Sequence, residues 1–236
     1  MSPGNRKGLT LVEVVVVVVV VGILGSLFLS AILNAREAAR RSGCIGGNSK
    51  AFALALHNYH DTFGMFPPAY VADQTGRPVH SWRILLLPYL DSNQVYEKYN
   101  FGKPWHAAGN RNLIDSLGEW PYKCPSAPPE NATMTEFLAI VGRDTTWEQD
   151  GTCVRIRDIT DGTANTIHFG EIDGSGIHRA EPRDFHTLQM SFRVNPTAGQ
   201  GFSSRHPGIA FAIFADGRVS ALRTGISEEI VRAMVT

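Results

Sequence analysis

The residues whose types and spacing could do chemistry begin near the N-terminus, with Glu13. This carboxylate stands directly before the run Val14 to Val21, in a stretch that stays uncharged and largely apolar as far as Leu33. An ionised side chain at the edge of such a stretch is costly and is a candidate functional residue. Two roles are open to it. It marks the interfacial end of a helix, or it has a function at the membrane boundary.

Histidines provide two further candidate sites. His206 and Asp216 could form a catalytic dyad or part of a metal site, but residues 206–208 are better interpreted as the start of a strand and residues 216–217 as the turn that ends it. His57 and His60 are three residues apart in a helical pattern, a spacing that can hold a metal. Because no third ligand can be identified, we do not predict a metal there.

A small oxygen cage is the remaining candidate. Asp158, Asp161 and Asn165 could contribute to a Ca²⁺ site, which takes about six to eight oxygen ligands. The competing interpretation is that Asp161-Gly162 forms an ordinary turn. No nucleophile elbow, phosphate-binding loop or dinucleotide motif is present. The sequence therefore predicts no enzyme and no cofactor, and calcium at this loop is the one metal site left open.

Charge and cysteine content limit the partners. Lys and Arg number 22 and Asp and Glu number 22, so the formal net charge is zero and no basic stripe favours nucleic acid. The three cysteines are Cys44, Cys124 and Cys153. In an exported domain we expect one disulfide, with at least one cysteine left unpaired, although the sequence does not say which two would pair. Their spacing matches no zinc pattern.

The element that must position Glu13 is a membrane-spanning helix. From Val14 to Leu33 there are about 20 residues without a charge, which is the length a helix needs to cross the hydrocarbon core. Only a helix satisfies all backbone groups of an isolated segment in lipid, so the β preference of valine is overridden. We predict a transmembrane helix over residues 9–34, in contact with the lipid bilayer.

A stripe of small or polar side chains follows that helix. Its members recur every fourth residue and are Gly22, Ser26, Ser30 and Asn34. Such a stripe lets membrane helices approach closely, although chance can also produce it in a segment that tolerates Gly and Ser. If the helix packs with copies of itself, this stripe is the predicted contact.

Beyond the membrane, the chain predicts an α+β layout. Residues 35–62 continue the long helix, with a bend possible near Gly43 to Gly47, and residues 63–236 form an α+β head domain with an antiparallel sheet and short helices. The predicted head elements are a helix capped by Ser81 and divided at Pro88, a helix over 112–117, strands over 136–141, 153–157 and 166–172, an element near 188–192, a hairpin over 209–222 and a closing helix capped by Ser227.

The arrangement of Gly8, Leu9 and Glu13 resembles the type IV prepilin signal of pilins and type II secretion pseudopilins. The resemblance implies that residues 1–8 are a leader, that prepilin peptidase cuts between Gly8 and Leu9 and methylates Leu9, and that Glu13 pairs with the amine of a neighbouring subunit. That family usually has Phe where Leu9 stands. The rival, an ordinary secretory signal cut near Ala31 or Ala35, gives Gly8 and Glu13 no role.

The resemblance also implies topology. Arg6 and Lys7 favour a cytoplasmic leader, whereas the arginines at 36, 40 and 41 flank the other end of the helix. Similarity to prepilins decides for a single pass through the bacterial inner membrane, with a cytoplasmic N-terminus and the head in the periplasm or exterior.

Several further segments together resemble a bacterial family of prepilin-like proteins, the domain of unknown function 1559. The matching segments are 35–41, 54–61, 66–68, 81–90, 123–126, 159–166 and 202–208. His206 then precedes Asp216-Gly217 in an H-x9-D-G pattern like that of the family's C-terminus. Residues 43–47 depart from the family and 173–201 cannot be matched. The resemblance implies a pilin-like architecture in the cell envelope and no particular chemistry.

Two functions follow as hypotheses. The first is a membrane-anchored prepilin-like or pseudopilin-like structural protein, processed after Gly8, that self-associates through its N-terminal helix in a pilus-like or type II secretion-associated filament. The alternative is a single-copy anchored module whose exported head binds a solute, glycan or surface protein. For that alternative Trp105, Trp120 and Trp147, predicted in loops, could stack on a sugar, although the favoured interpretation is that they belong to the core of the head.

Overall fold

A computed structural model describes residues 10–119, 121–196 and 199–236. The chain divides into two compact units, one ending at Arg40 and the other running from Arg41 to Thr236. The division therefore falls inside the predicted helix continuation over residues 35–62.

The first unit consists of most of helix α1, Leu11–Gly43. No residue of α1 is buried, and large apolar side chains such as Val18 and Phe28 are more than half exposed. Among the described residues, the helix that begins at Leu11 is the one long and apolar enough to cross a membrane. The prediction of a long apolar helix at the N-terminus is confirmed.

The glycine-rich segment after α1 changes the helix geometry without ending it. Cys44–Ser49 forms a π-helix, and α2 follows over Lys50–Phe63. Helix α2 ends at Phe63, one residue beyond the predicted end at residue 62, and Gly64 caps it with a φ of 74° that is readily adopted only by glycine. Its buried face carries Phe52, Ala53, Ala55 and Leu56.

Short elements surround α2 and lead into the sheet. A separate two-stranded sheet pairs β1 (Tyr70–Ala72) with β2 (Pro78–Ser81), and the short helices are α3 (Trp82–Leu85), α4 (Asn93–Lys98) and α5 (Ala108–Asp115). Ser81 caps α3 by accepting a hydrogen bond from the Arg83 backbone N–H at 3.2 Å, as predicted. Pro88 lies in a separate 3-10 turn, so it does divide the helix. Helix α5 begins four residues before the predicted start.

In the described part of the chain, the main sheet has five strands. These are β3 (Phe137–Val141), β4 (Ile167–Glu171), β5 (Phe185–His186), β6 (Ile209–Phe214) and β7 (Val219–Arg223). Their order is β5-β3-β4-β6-β7, and every neighbouring pair is antiparallel except β3 with β5. The β6–β7 hairpin is confirmed, with Gly217 at a φ of 84° in the turn. Helix α6 (Glu228–Ala233) is capped by Ser227 as predicted.

The prediction of a strand over residues 153–157 is wrong. That segment is irregular and ends in a 3-10 helix, Ile156–Asp158. The Asp158 carboxylate accepts the Arg155 backbone N–H at 3.0 Å, so a local side-chain bond closes a turn where a strand would need a partner strand. Residues 188–192 are likewise irregular, and the short strand β5 lies just before them.

The head core forms where α2 packs on the sheet. The Phe52 ring lies within 6.0 Å of the rings of Trp82, Phe137 and Phe169, centroid to centroid. Fully burying a large apolar side chain contributes about 1.5–3 kcal/mol each. The second cluster brings Val231 of α6 together with Phe202 and Phe214. Helices and sheet thus form the α+β head that the sequence predicted.

Candidate functional site

The predicted processing site falls partly outside the described residues. Gly8 and Leu9 lie before residue 10, whereas Glu13 lies in the first turn of α1. Glu13 Oε2 accepts hydrogen bonds from the Thr10 backbone N–H at 2.8 Å and from the Thr10 hydroxyl at 2.9 Å. The Glu13 N–H points back to Thr10 Oγ1 at 3.4 Å. These reciprocal contacts form a capping box, which satisfies N–H groups that a helix start leaves without partners.

The cap engages one carboxylate oxygen. Among the described residues, both hydrogen bonds to the Glu13 carboxylate go to Oε2. Oε1 can therefore accept a charge-assisted bond from an amine while the cap stays in place. The capping box seen in the structure and the ion pair that the prepilin resemblance implies are therefore geometrically compatible.

The two serine hydroxyls of the small-residue stripe form hydrogen bonds within the helix. Ser26 Oγ donates to the Ile23 carbonyl at 2.8 Å and Ser30 Oγ to the Leu27 carbonyl at 2.9 Å. A Cβ placed on Gly22 would meet nothing within 4 Å. Because the hydroxyls of Ser26 and Ser30 are satisfied within the helix, these two positions present small side chains and no unmet hydrogen bond to a neighbouring helix.

His206 and Asp216 lie at opposite ends of β6 and form no dyad. The Asp216 carboxylate accepts the Arg218 N–H at 2.9 Å within the hairpin turn. His206 lies in the turn before the strand, where its carbonyl accepts the Ile209 N–H, and its side chain is buried. The geometry agrees with the interpretation that 206–208 begin the strand and 216–217 end it.

Instead, the structure brings His206 into a buried cluster of four potential metal ligands. The ligand atoms all lie within 4.8 Å of one another, and they belong to Cys44, Cys124, Glu171 and His206. Cys44 Sγ lies 3.7 Å from Glu171 Oε1, and Cys124 Sγ lies 3.4 Å from His206 Nε2. Each of the four residues is at most 2% exposed. We refer to them below as the cysteine cluster.

Four separate segments supply the cysteine cluster. Cys44 opens the π-helix, Cys124 lies in the loop before β3, Glu171 ends β4, and His206 precedes β6. The Cys124 backbone is itself held, because its N–H donates to Glu136 Oε2 at 2.8 Å. This wide separation along the chain explains why the cysteine spacing indicated no zinc pattern. Glu171, in a strand with no motif of its own, was missed.

Burial controls the protonation of the cysteine cluster. The pKa of Glu171 is raised well above its usual value mainly by burial, although His206 and Ser204 oppose the shift. Glu171 Oε2 has no hydrogen-bond donor in good geometry among the described residues. The hydrogen bond with Cys44 and the His206 ring lower the pKa of Cys124 to about 4, whereas the same bond, burial and Glu171 raise that of Cys44. Without a cation, the acidic groups therefore compete for protons.

The expected disulfide is not formed. All three cysteines lie in the described part of the chain, and each is a free thiol. Cys44 and Cys124 approach each other through the cluster, while Cys153 is half-buried elsewhere.

The other predicted ligand groups are engaged in local structure. Asn165 Nδ2 donates to the Asp161 carbonyl at 3.0 Å, and the Asp158 carboxylate accepts the N–H of Arg155. Calcium at this loop stays a prediction. The His57 ring packs edge-on against Phe66, and that of His60 lies 5.0 Å from the same ring, centroid to centroid.

Two of the tryptophans considered for glycan binding have partners in the head. Trp147 is 1% exposed, and its indole N–H donates to the His168 carbonyl. Trp105 is half-buried and stacks on His178 at 5.2 Å. Trp120 lies outside the described residues. Trp147 is thus a core residue that cannot stack on a sugar in this fold.

Two family models match the chain. Residues 33–155 match the protein of unknown function DUF1559, and residues 3–29 match the prokaryotic N-terminal methylation motif. No characterised protein and no solved structure matches the chain significantly. Together with the apolar helix, the methylation motif indicates a membrane-anchored protein that prepilin peptidase processes. The DUF1559 match ends before His206, so the H-x9-D-G pattern stays a prediction.

Proposed function

Because the chain belongs to the DUF1559 family of proteins of unknown function and carries a prokaryotic N-terminal methylation motif, we propose that it is a prepilin-like structural protein. After cleavage behind Gly8, its N-terminal helix packs with copies of itself in a pilus-like or type II secretion-associated filament. It acts through assembly and catalyses no reaction.

The observation that carries this proposal is that the capping box uses only one carboxylate oxygen of Glu13. Cleavage between Gly8 and Leu9 creates a new amine only a few residues from this carboxylate. An amine and a carboxylate at the membrane boundary stabilise each other strongly when paired, and each is costly when left alone. Since the cap uses only Oε2, Glu13 can keep its own helix start and still accept the amine of a neighbouring copy.

The surface of α1 supports the same proposal. Its apolar side chains are exposed along the whole spanning segment, so lipid or other helices must cover them. The stripe formed by Gly22, Ser26, Ser30 and Asn34 provides the low-relief face on which a second helix can approach closely.

Topology is part of the proposal. The leader carries Arg6 and Lys7 and remains in the cytoplasm, the helix crosses the inner membrane once, and the head lies in the periplasm or exterior.

The test separates the two roles of Glu13. Glu13→Gln keeps an acceptor oxygen for the capping box but removes the charge, whereas Glu13→Ala removes both. Assembly is measured in membranes as disulfide cross-linking of a Ser26→Cys variant, with Phe28→Cys on the opposite helix face as the matched control. We expect Ser26→Cys to cross-link and Phe28→Cys not to.

With either Glu13 substitution, we expect cross-linking of Ser26→Cys to fall at least about tenfold, the equivalent of 1.4 kcal/mol, while the chain stays in the membrane. Full cross-linking in Glu13→Gln would mean that the carboxylate serves only as a cap. Absence of cross-linking from both cysteine positions in the otherwise unmodified chain would favour the single-copy anchored module.

A further inference from the structure

We propose that the head binds one Zn²⁺ ion through the cysteine cluster, with Cys44 Sγ, Cys124 Sγ, Glu171 Oε1 and His206 Nε2 as its ligands. This inference concerns the head alone and is independent of the proposed filament.

The spacing of the ligand atoms fits a tetrahedral ion. Zinc binds thiolate sulfur at about 2.3 Å and imidazole nitrogen or carboxylate oxygen at about 2.0–2.2 Å, so neighbouring ligands of a tetrahedral site lie about 3.3–3.8 Å apart. The Cys44–Glu171 and Cys124–His206 pairs, at 3.7 and 3.4 Å, already have that separation. The remaining pairs lie within 4.8 Å, so side-chain shifts of about an ångström complete the site.

Charge and hydrogen bonding also favour a cation at this site. Three acidic side chains meet in a space that is closed to solvent, and one oxygen of Glu171 is buried there without a donor in good geometry among the described residues. Buried charges are normally paired or coordinate metals. A divalent ion would compensate two negative charges at once and occupy the point toward which all four ligand atoms converge.

The ligand types select the metal. Two thiolates exclude Mg²⁺ and Ca²⁺, which prefer oxygen ligands, and a tetrahedral set of sulfur and nitrogen with one carboxylate suits Zn²⁺. Four protein ligands leave no open position, as in structural zinc sites. The Glu136 carboxylate, which holds the Cys124 backbone N–H, supports this geometry from outside the ligand set.

The ion would act as a cross-link. It joins the π-helix before α2, the loop before β3, the end of β4 and the turn before β6. Because these segments lie far apart along the chain, one ion would hold the start of α2 against the sheet. It also keeps both cysteine thiolates from oxidising in the exported compartment.

A Cys44–Cys124 disulfide is the competing chemistry for this site. That bond would remove both thiolates and leave Glu171 and His206 facing each other across a buried space. It explains the approach of the two sulfurs but not the presence of the carboxylate and the imidazole, which the zinc site uses.

The test measures metal content and thiol state on the full chain purified in detergent. We expect about one zinc per chain by elemental analysis. When zinc has been removed by a chelator under reducing conditions, adding Co²⁺ should produce thiolate-to-metal charge-transfer bands and the intense visible bands of tetrahedral coordination. Intact mass without reductant should show three unoxidised cysteines.

The variants assign the ligands. Cys44→Ser and Glu171→Gln should each lower bound zinc at least about tenfold, whereas Cys153→Ser, which changes a cysteine outside the cluster, should keep it. The proposal is overturned if the unsubstituted chain is lighter by two hydrogens because Cys44 and Cys124 are bonded. It is also overturned if three free thiols bind neither Zn²⁺ nor Co²⁺. Both outcomes are read on the unsubstituted chain and do not depend on how the variants fold.

Discussion

The two units of the chain satisfy their polar groups in different ways. In the N-terminal helix, hydrogen bonds of polar side chains close within three residues, as in Thr10 with Glu13 and Ser26 with the Ile23 carbonyl. In the head, buried polar groups meet partners far along the chain. Arg83, for example, pairs with Asp184 and donates to the Phe137 carbonyl at 3.0 Å.

The difference shows where each unit depends on other molecules. The helix exposes its apolar surface, which lipid or other helices must cover. The head buries its apolar surface and satisfies its buried ion pair internally. Its cysteine cluster differs from that ion pair, since two thiols and a carboxyl group meet there with only one imidazole, that of His206, among the four residues.

The largest expected effect comes from breaking the buried pair in the head. Arg83 is fully buried, and Arg83→Met would leave Asp184 without its cationic partner. Removing one member of such a pair costs about 3–5 kcal/mol. The free energy of unfolding, measured in denaturant by the fluorescence of the buried tryptophans, should fall by that amount.

Arg143→Met is the matched control. Arg143 also faces an aspartate, Asp144, at 3.8 Å, but both side chains are more than 80% exposed. An exposed pair contributes about 0–1 kcal/mol. Equal losses in the two variants would contradict the claim that burial makes the difference.

A smaller loss of folding stability is expected at low pH. His168 is fully buried among Trp147 and Phe66, and burial, together with the charge of His57, lowers its pKa to about 3. Below about pH 6.5 the unfolded chain takes up a proton that the folded head does not. Stability therefore falls as the pH is lowered, by about 3 kcal/mol between pH 6.5 and pH 4.

The free energy of unfolding, measured at a series of pH values, checks whether stability falls as the pH is lowered. His168→Gln can keep the hydrogen bond to the Thr146 hydroxyl but cannot titrate, so it should reduce the pH dependence by that amount. His106→Gln, at an exposed position, should leave the pH dependence unchanged. A His168→Gln protein with the full pH dependence would show that other groups cause it.

The sequence could predict the elements that neighbouring residues specify. The N-terminal helix, the caps at Ser81 and Ser227 and the hairpin at Asp216-Gly217 are specified by neighbouring residues, and the structure confirms them. The wrong predictions concern segments whose structure depends on residues far along the chain. Whether residues 153–157 form a strand depends on a partner strand, which no local pattern reveals.

The cysteine cluster shows the same limit most clearly. Cys44, Cys124 and His206 each stood in the sequence as a candidate for some role, but nothing local linked them to one another or to Glu171. Only the pairing of β4 with β6 and the packing of α2 bring these segments together.

The central claim, that this is a processed prepilin-like protein, is tested most directly by the mass of the N-terminal peptide from chain extracted from membranes. We predict a mature chain that begins at Leu9 with a methylated amine. A chain that retains Arg6 and Lys7 would contradict the account, because Glu13 would then have no new amine to pair with and the helix would be a plain membrane anchor.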